Sequence, residues 1–479
     1  MASCGGDGAS DSGSESGFTS VSGGTSPSTD GHTGTVTASA SEGSMGSSSA
    51  TQASSDSNSA TSDATVTAAS ESESDTNTDT DTDTDTDTDT DTTGQPACDG
   101  EGQGGFDFSY LWVANTDQGS ISKINTETKI EEARYYSDVS EGGVSSPSRT
   151  SVNITGRFVV VSNRGTGWVT KVAANVSDCV DLNGNGMIET SPDKDTLLPW
   201  GSDECVLWST QVAPNPFSIK AGPRGTTWTP GTYNPETCEY EEQKVWVGWL
   251  EAPGQAAMGM LNGDTGELEA TVALPNWPLT GDDGLTGFAP YGAAVDADGF
   301  VWTTAAFSDQ LWRIDPDTLE YKKWSAGPGA SHYGMTVDSK GKVWLGSWLG
   351  HGGVSTFDPV TEAFTVIPGS TNNVNRGIAA DADGNVWVIT NVGGASGCGM
   401  VQIDAETQSV VQVHQFPQCG GYPVGVSVDI AGYVWVVDND WVYKVNPVTY
   451  EKEQVLVANT HYTYSDMTGG GLLNAVIPQ

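Results

Sequence analysis

Pro290–Ala305 reads PYGAAVDADGFVWTTA, and the same frame returns three times. His332–Ser347 reads HYGMTVDSKGKVWLGS, Asn375–Thr390 reads NRGIAADADGNVWVIT, and Pro423–Asp438 reads PVGVSVDIAGYVWVVD. Trp302, Trp344, Trp387 and Trp435 hold one position in the frame, at steps of 42, 43 and 48 residues. Each copy begins with a short apolar strand opening at a Gly. It turns at D-x-x-G, where Asp and Gly supply tight-turn conformations, and continues into a β-rich strand carrying the Trp. A third strand follows, ending in RIDP at Arg313, TFDP at Thr356, QIDA at Gln402 and KVNP at Lys444, and then a fourth. Four antiparallel strands every 40–45 residues make a propeller blade. The opening Gly is expected where the blades crowd a central axis.

Three more blades fit the frame less regularly. YLWVANTDQGSISKIN from Tyr110 supplies the later strands of blade one, with Trp112 in the Trp position. Blade two starts near Pro147, with Val159 replacing the Trp. Blade three starts near Pro223, with Trp246 in place. The reading is an all-β fold, a seven-bladed β-propeller over residues 98–479. Blade one lacks its innermost strand, and Tyr464–Gly469 is expected to supply it, closing the ring and removing exposed edges.

Residues 1–97 have a different composition. They are Ser, Thr, Gly, Ala and Asp with almost no large apolar side chain, and no Lys or Arg occurs before Lys123. Such a stretch buries too little apolar surface to offset the entropy of ordering, so a long disordered low-complexity tether is expected. Its Asp-Thr alternation from Asp79 to Thr92 repels itself into an extended spacer. Ala2-Ser3-Cys4 resembles the end of a bacterial lipobox. The resemblance implies a lipid anchor on Cys4; the pattern wants an aliphatic residue where Met1 stands and a charged and apolar stretch before it, so either the true start lies upstream of Met1 or Cys4 is an ordinary cysteine.

The formal charge of −43 argues against a basic nucleic-acid-binding surface and suits life outside a cell. Beyond Cys4 the cysteines are Cys98, Cys179, Cys205, Cys238, Cys398 and Cys419. This even set suggests up to three disulfides and an oxidising compartment, with Cys179–Cys205 and Cys398–Cys419 the expected pairs. The localisation expected is extracytoplasmic: a bacterial outer-membrane or cell-surface lipoprotein, or a secreted protein. A monomer is expected, touching membrane only through the anchor.

The P-x-G, D-x-x-G and V-W pattern, strongest over residues 289–446, resembles the virginiamycin B lyase (streptogramin lyase) and NHL-type propellers. That resemblance implies a possible metal-assisted carbon–oxygen lyase using histidine, a glutamate and Mg2+ at the channel mouth. His332 is similar in placement to one such histidine and is the catalytic candidate, with His351 in a nearby loop. The W-x-x-E glutamate is replaced by Ala305, Ser347, Thr390 and Asp438, which leaves a metal-assisted site short of a carboxylate.

Two constellations could carry other chemistry. In DLNGNGMIETSPDKD from Asp181, the residues Asp181, Asn183, Asn185 and Gly186 match a D-x-N-x-N-G calcium loop. Pro192 stands where Glu is usual. Glu189 and Asp193, or Asp195, are the candidate further oxygen ligands for a structural Ca2+, inside an insertion spanning residues 175–204. The second set lies at one mouth: Arg149, Arg164, Arg224, Tyr291, Tyr333, Trp348 and Arg376. The chain has only seven arginines, so four at one mouth suggest a site for an anionic group. Pairing with acids such as Asp466 or Glu251 is the structural alternative. The function expected is therefore a tethered module that binds a polar or anionic ligand, or a cell-surface partner, at its mouth. A virginiamycin B lyase-like activity and a purely structural surface protein are the alternatives.

Overall fold

The computed structural model describes residues 109–477, other than 281–284, 286, 349–352, 371–373, 392–397, 417–422 and 458–459. Readings that fall on 1–97, Cys98, His351 or Cys419 lie outside the described residues.

Seven antiparallel blades follow one another along the chain, the fifth and sixth joined into one sheet by a single pairing of Ser347 with Asn375. Blade one holds Tyr110–Asn115, Ser120–Asn125 and Glu131–Tyr136. Blade two holds Pro147–Val152, Phe158–Asn163, Trp168–Ala173 and Val206–Gln211. Blade three is Arg224–Trp228, Lys244–Ala252, Gln255–Asn262 and Leu268–Pro275, with an extra hairpin, Thr232–Asn234 and Glu239–Glu241, after its first strand. Blades four to seven each have four strands, with inner strands Pro290–Val295, His332–Val337, Asn375–Ala380 and Gly425–Val428. The long insertion falls between the third and fourth strands of blade two and is bridged by Cys179–Cys205. Cys238 and Cys398 are also disulfide-bonded.

The C-terminal segment closes the ring against blade one, by separate contacts rather than a continuous strand. Trp112 N–H donates to the Met467 carbonyl at 3.0 Å and Ala114 N–H to Thr463 Oγ1 at 2.7 Å. Asn115 bridges His461, and Arg149 of blade two bridges Tyr464 in parallel. Beyond it, Gly470–Val476 forms a short helix that the repeat pattern does not announce. Leu472, Leu473 and Ala475 are buried, and the helix packs on the far ends of the inner strands.

Blades four to seven share one buried device. The Asp of D-x-x-G uses Oδ1 to accept N–H groups of its own turn. Its Oδ2 accepts the indole N–H of the Trp six residues on. The indole bonds are Trp302 to Asp296, Trp344 to Asp338 and Trp387 to Asp381, each 2.7 Å, and Trp435 to Asp429 at 2.8 Å. Burial pushes the carboxyls of Asp296, Asp381 and Asp429 up from their usual range. The Trp residues therefore pack between blades and also tie each turn to its blade. Blades one and three lack the Asp, and the indole nitrogens of Trp112 and Trp246 are buried with no hydrogen-bond partner among the described residues.

A double-mutant cycle on Asp381→Ala and Trp387→Phe, followed by urea denaturation, should give a coupling of about 1.5–3 kcal/mol, the range for a hydrogen bond to a charged group. A coupling near zero would mean that the Trp acts through packing alone.

Candidate functional site

The inner strands begin at one face of the ring, around the axis. Five of them place a glycine there: Gly225, Gly292, Gly334, Gly377 and Gly425. A Cβ at Gly225 or Gly377 would stand 2.6 or 2.4 Å from the carbonyl oxygen of Pro290 or Val424, in the next blade. In blade two the ladder pairs Pro147 with Asn163 and Arg149 with Ser162, as blade four pairs Pro290 with Ala305 and Gly292 with Thr304. Arg149 thus stands in the glycine position.

The residues before these glycines, with the closing segment, form an aromatic and cationic layer. Four hydroxyls meet: Tyr291 with Tyr333 and with Tyr462, each at 2.5 Å, Tyr464 with Tyr333 at 2.9 Å, and Tyr333 with Tyr462 at 3.1 Å. Phe288, Phe307 and Trp348 pack around them, the Tyr333 and Trp348 ring centres lying 4.8 Å apart. Burial raises the Tyr464 phenol well above its ordinary value, opposed in part by Arg149.

All four expected arginines join this layer, and all are buried. Arg149 lies 4.2 Å from the Tyr464 ring centre and 4.5 Å from that of Tyr291. Arg164 lies 4.3 Å from Tyr462, Arg224 5.2 Å from Tyr291, and Arg376 4.9 Å from Trp348. Arg164 also donates to Ser146 Oγ, and Arg376 to Asn391 Oδ1. The arginines were expected to present their guanidinium groups at an open mouth. Instead, close packing puts ring faces over them, and the half-buried Phe307, Trp348 and Tyr462 are the surface they support. Tyr462, Phe288 and Phe307 escaped the sequence reading, and Tyr464 entered it only as the start of the closing segment. The Tyr-x-Tyr of the closing segment was the signal available.

Two expected members lie elsewhere. Asp466 turns to the opposite end of the channel, where it accepts from Ser427 Oγ and from the N–H groups of Thr468, Gly469 and Leu472. It anchors the C-terminal helix and holds none of the arginines. His332 precedes Tyr333, and successive strand residues face opposite sides. Tyr333 enters the tyrosine cluster. The His332 ring is buried against Phe364, with Nδ1 3.5 Å from Thr304 Oγ1. Nε2 has no hydrogen-bond partner among the described residues. Burial pushes its pKa down to about 4. No group of three or more His, Cys, Asp or Glu placed to hold a metal occurs among the described residues.

In the insertion, four of the five expected calcium ligands meet. Asp181 accepts N–H groups from Gly184, Asn185 and Gly186, and the amides of Asn183 and Asn185 both donate to Glu189. These bonds hold the Asp181 and Glu189 carboxyls below their usual range. Asp193 instead caps its own turn at Asp195 and Thr196. The buried Glu204 knits the loop from beneath, accepting from Leu182 and Glu189 N–H.

No protein-family model matches the sequence, and no curated protein matches it. Solved structures do match. A functionally unknown protein from Desulfotomaculum acetoxidans is 12% identical, over 73% of this chain and 96% of that one, with a TM-score of 0.51. Virginiamycin B lyase from Staphylococcus aureus is 15% identical, over 66% of this chain and 85% of that one, at 0.42. AztD from Citrobacter koseri is 12% identical, over 74% and 97%, at 0.45. The protein is a β-propeller, as its successive antiparallel blades show. The activities in those names belong to those proteins.

His332 sets a pH prediction. Its folded pKa of about 4 lies below the unfolded value of about 6.5, so the unfolded chain binds the proton more tightly. The stability this contributes is complete above pH 6.5 and is lost as pH falls towards 4, by roughly 3 kcal/mol over the whole window. Chemical denaturation of the His332→Gln variant between pH 7 and 5 should show a shallower loss than the parent. Equal slopes would place the acid sensitivity elsewhere.

Proposed function

We propose that this protein is an extracytoplasmic, lipid-anchored binding module that takes a polar or anionic ligand on the mouth face of its propeller. The observation that carries the reading is the half-buried trio Phe307, Trp348 and Tyr462, which converge on one face over Arg164 and Arg376. Aromatic faces take rings and sugars by stacking, and the guanidinium groups behind them favour a negatively charged substituent. The buried His332 and the absence of a carboxylate hydrogen-bonded to it among the described residues favour binding over lyase chemistry. All four described cysteines are disulfide-bonded, which supports an oxidising compartment.

The full chain should be titrated with a panel of short carboxylated, sulfated and neutral oligosaccharides. Binding should favour the acidic members, and Trp348→Ala and Tyr462→Ala should each weaken it about tenfold, the loss expected of one stacked ring. Binding untouched by both variants would move the site away from the mouth. A type B streptogramin linearised with Mg2+ present, and left intact by His332→Ala, would make the protein a lyase.

The insertion is proposed to hold a structural Ca2+ through Asp181, Asn183, Asn185 and Glu189, all hard oxygen donors on one loop. Calcium should protect the segment between Cys179 and Cys205 from limited proteolysis relative to chelator. Asp181→Ala should abolish the protection. Identical cleavage with calcium and chelator would leave the loop as a hydrogen-bonded turn.

A further inference from the structure

The chain contains three Asn-Gly steps: Asn183-Gly184, Asn185-Gly186 and Asn262-Gly263. In such a step the glycine nitrogen can attack the asparagine side-chain carbonyl through a five-membered ring, because glycine has no Cβ to block the approach. The first two steps lie on the blade-two insertion, and the loop engages every group that this reaction uses. The attacking N–H groups of Gly184 and Gly186 donate to the Asp181 carboxylate at 2.6 and 2.8 Å. The oxygens of the carbonyls under attack, Oδ1 of Asn183 and Asn185, accept the N–H groups of Asn185 and Met187 at 3.0 and 2.8 Å. The amide nitrogens that leave donate to Glu189 at 2.7 and 2.8 Å. Residues 182–187 are exposed, and a Cβ built on Gly184 or Gly186 would meet nothing within 4 Å, so the loop has room to move into the ring geometry. Gly263 is the contrast. It is buried, and its N–H donates to the Gln243 carbonyl at 2.9 Å, not to a carboxylate. A Cβ there would stand 2.4 Å from that oxygen and 2.7 Å from the Trp228 ring, so the same dipeptide is locked into its blade.

We propose that Asn183 and Asn185 are sites of self-catalysed deamidation. The bond from the glycine nitrogen to the asparagine Cγ forms, and the Cγ–Nδ2 bond breaks. The proton on the glycine nitrogen passes to Asp181, which already holds it, and is taken up by the amide nitrogen as that leaves as ammonia. The N–H groups on Oδ1 stabilise the oxyanion formed during the attack. A succinimide remains, and water opens it to aspartate or isoaspartate. The product carries new carboxylates in place of the Asn183 and Asn185 amides, at alternate positions beside Asp181. The D-x-N-x-N-G run thereby becomes acidic at its first, third and fifth positions, and calcium affinity follows ligand charge. That consequence rests on the calcium reading of the loop; the deamidation itself does not.

The full chain should be incubated with chelator in neutral buffer and its peptides mapped by mass spectrometry over time. Asn183 and Asn185 should convert about tenfold faster than Asn262, which must first be freed from its blade. Asp181→Asn should slow both by about tenfold or more, as loss of a positioned proton acceptor does, and leave Asn262 unchanged. Conversion at Asn183 and Asn185 no faster than at Asn262, or rates untouched by Asp181→Asn, would overturn the proposal. The comparison of the three sites within the wild-type chain stands even if the variant distorts the loop. The double variant Asn183→Asp with Asn185→Asp, which mimics the aspartate product, should need about tenfold less calcium to protect the insertion from proteolysis. Calcium protection of neither chain would remove the calcium reading and leave the deamidation standing.

Discussion

A Cβ placed on Gly334 or Gly377 would meet a carbonyl oxygen of the neighbouring blade at 2.4 Å, and one on Gly425 the Thr463 carbonyl of the closing segment at 2.3 Å. This close approach at the axis is the constraint from which the other features follow. It brings the inner strands into mutual contact, so the ring leaves only a narrow channel. Its last gap, beside blade one, is filled by a segment from the other end of the chain, through Thr463 and Met467. Side chains that do enter the axis have nowhere to spread, and they stack. Four tyrosine hydroxyls therefore converge within hydrogen-bonding distance.

Away from the axis, each later blade is held by the carboxylate that joins its first turn to its Trp. One group serves two ends: the turn N–H groups on Oδ1 and the indole on Oδ2. Burying an ionised carboxylate is costly, and its raised pKa records that cost, but every donor it faces would otherwise be orphaned in the core. Blades one and three do without the carboxylate and leave their indole nitrogens unmet among the described residues. Both are among the three blades that fit the repeat less regularly. The regular blades therefore carry both the clearest sequence signal and the most complete internal bonding.

The same packing shapes what the mouth offers. Arginines that would bind anions in an open cleft lie under rings here, so their charge acts through aromatic faces at the surface. Arg149 stands in a glycine position, fully buried, with its guanidinium against the faces of Tyr291 and Tyr464.

Much of the architecture was legible in the chain before folding. Four copies of G-x-x-x-D-x-x-G-x-V-W state the strand, the turn and the next strand by local chemistry, and counting them gives the blades. Local chemistry also named Cys179–Cys205 and gathered the Asp181 loop. Direction was not legible. Whether His332 or Tyr333 enters the channel depends on which side of the strand faces the axis, and the histidine took the other side. Asp466 looked like a partner for the arginines, but it is spent on the helix that follows it, an element with no counterpart in the repeat. The order of the blades is written in residues near one another in the chain. The burial and partners of the arginines were decided only by ring closure, which joins strands more than three hundred residues apart.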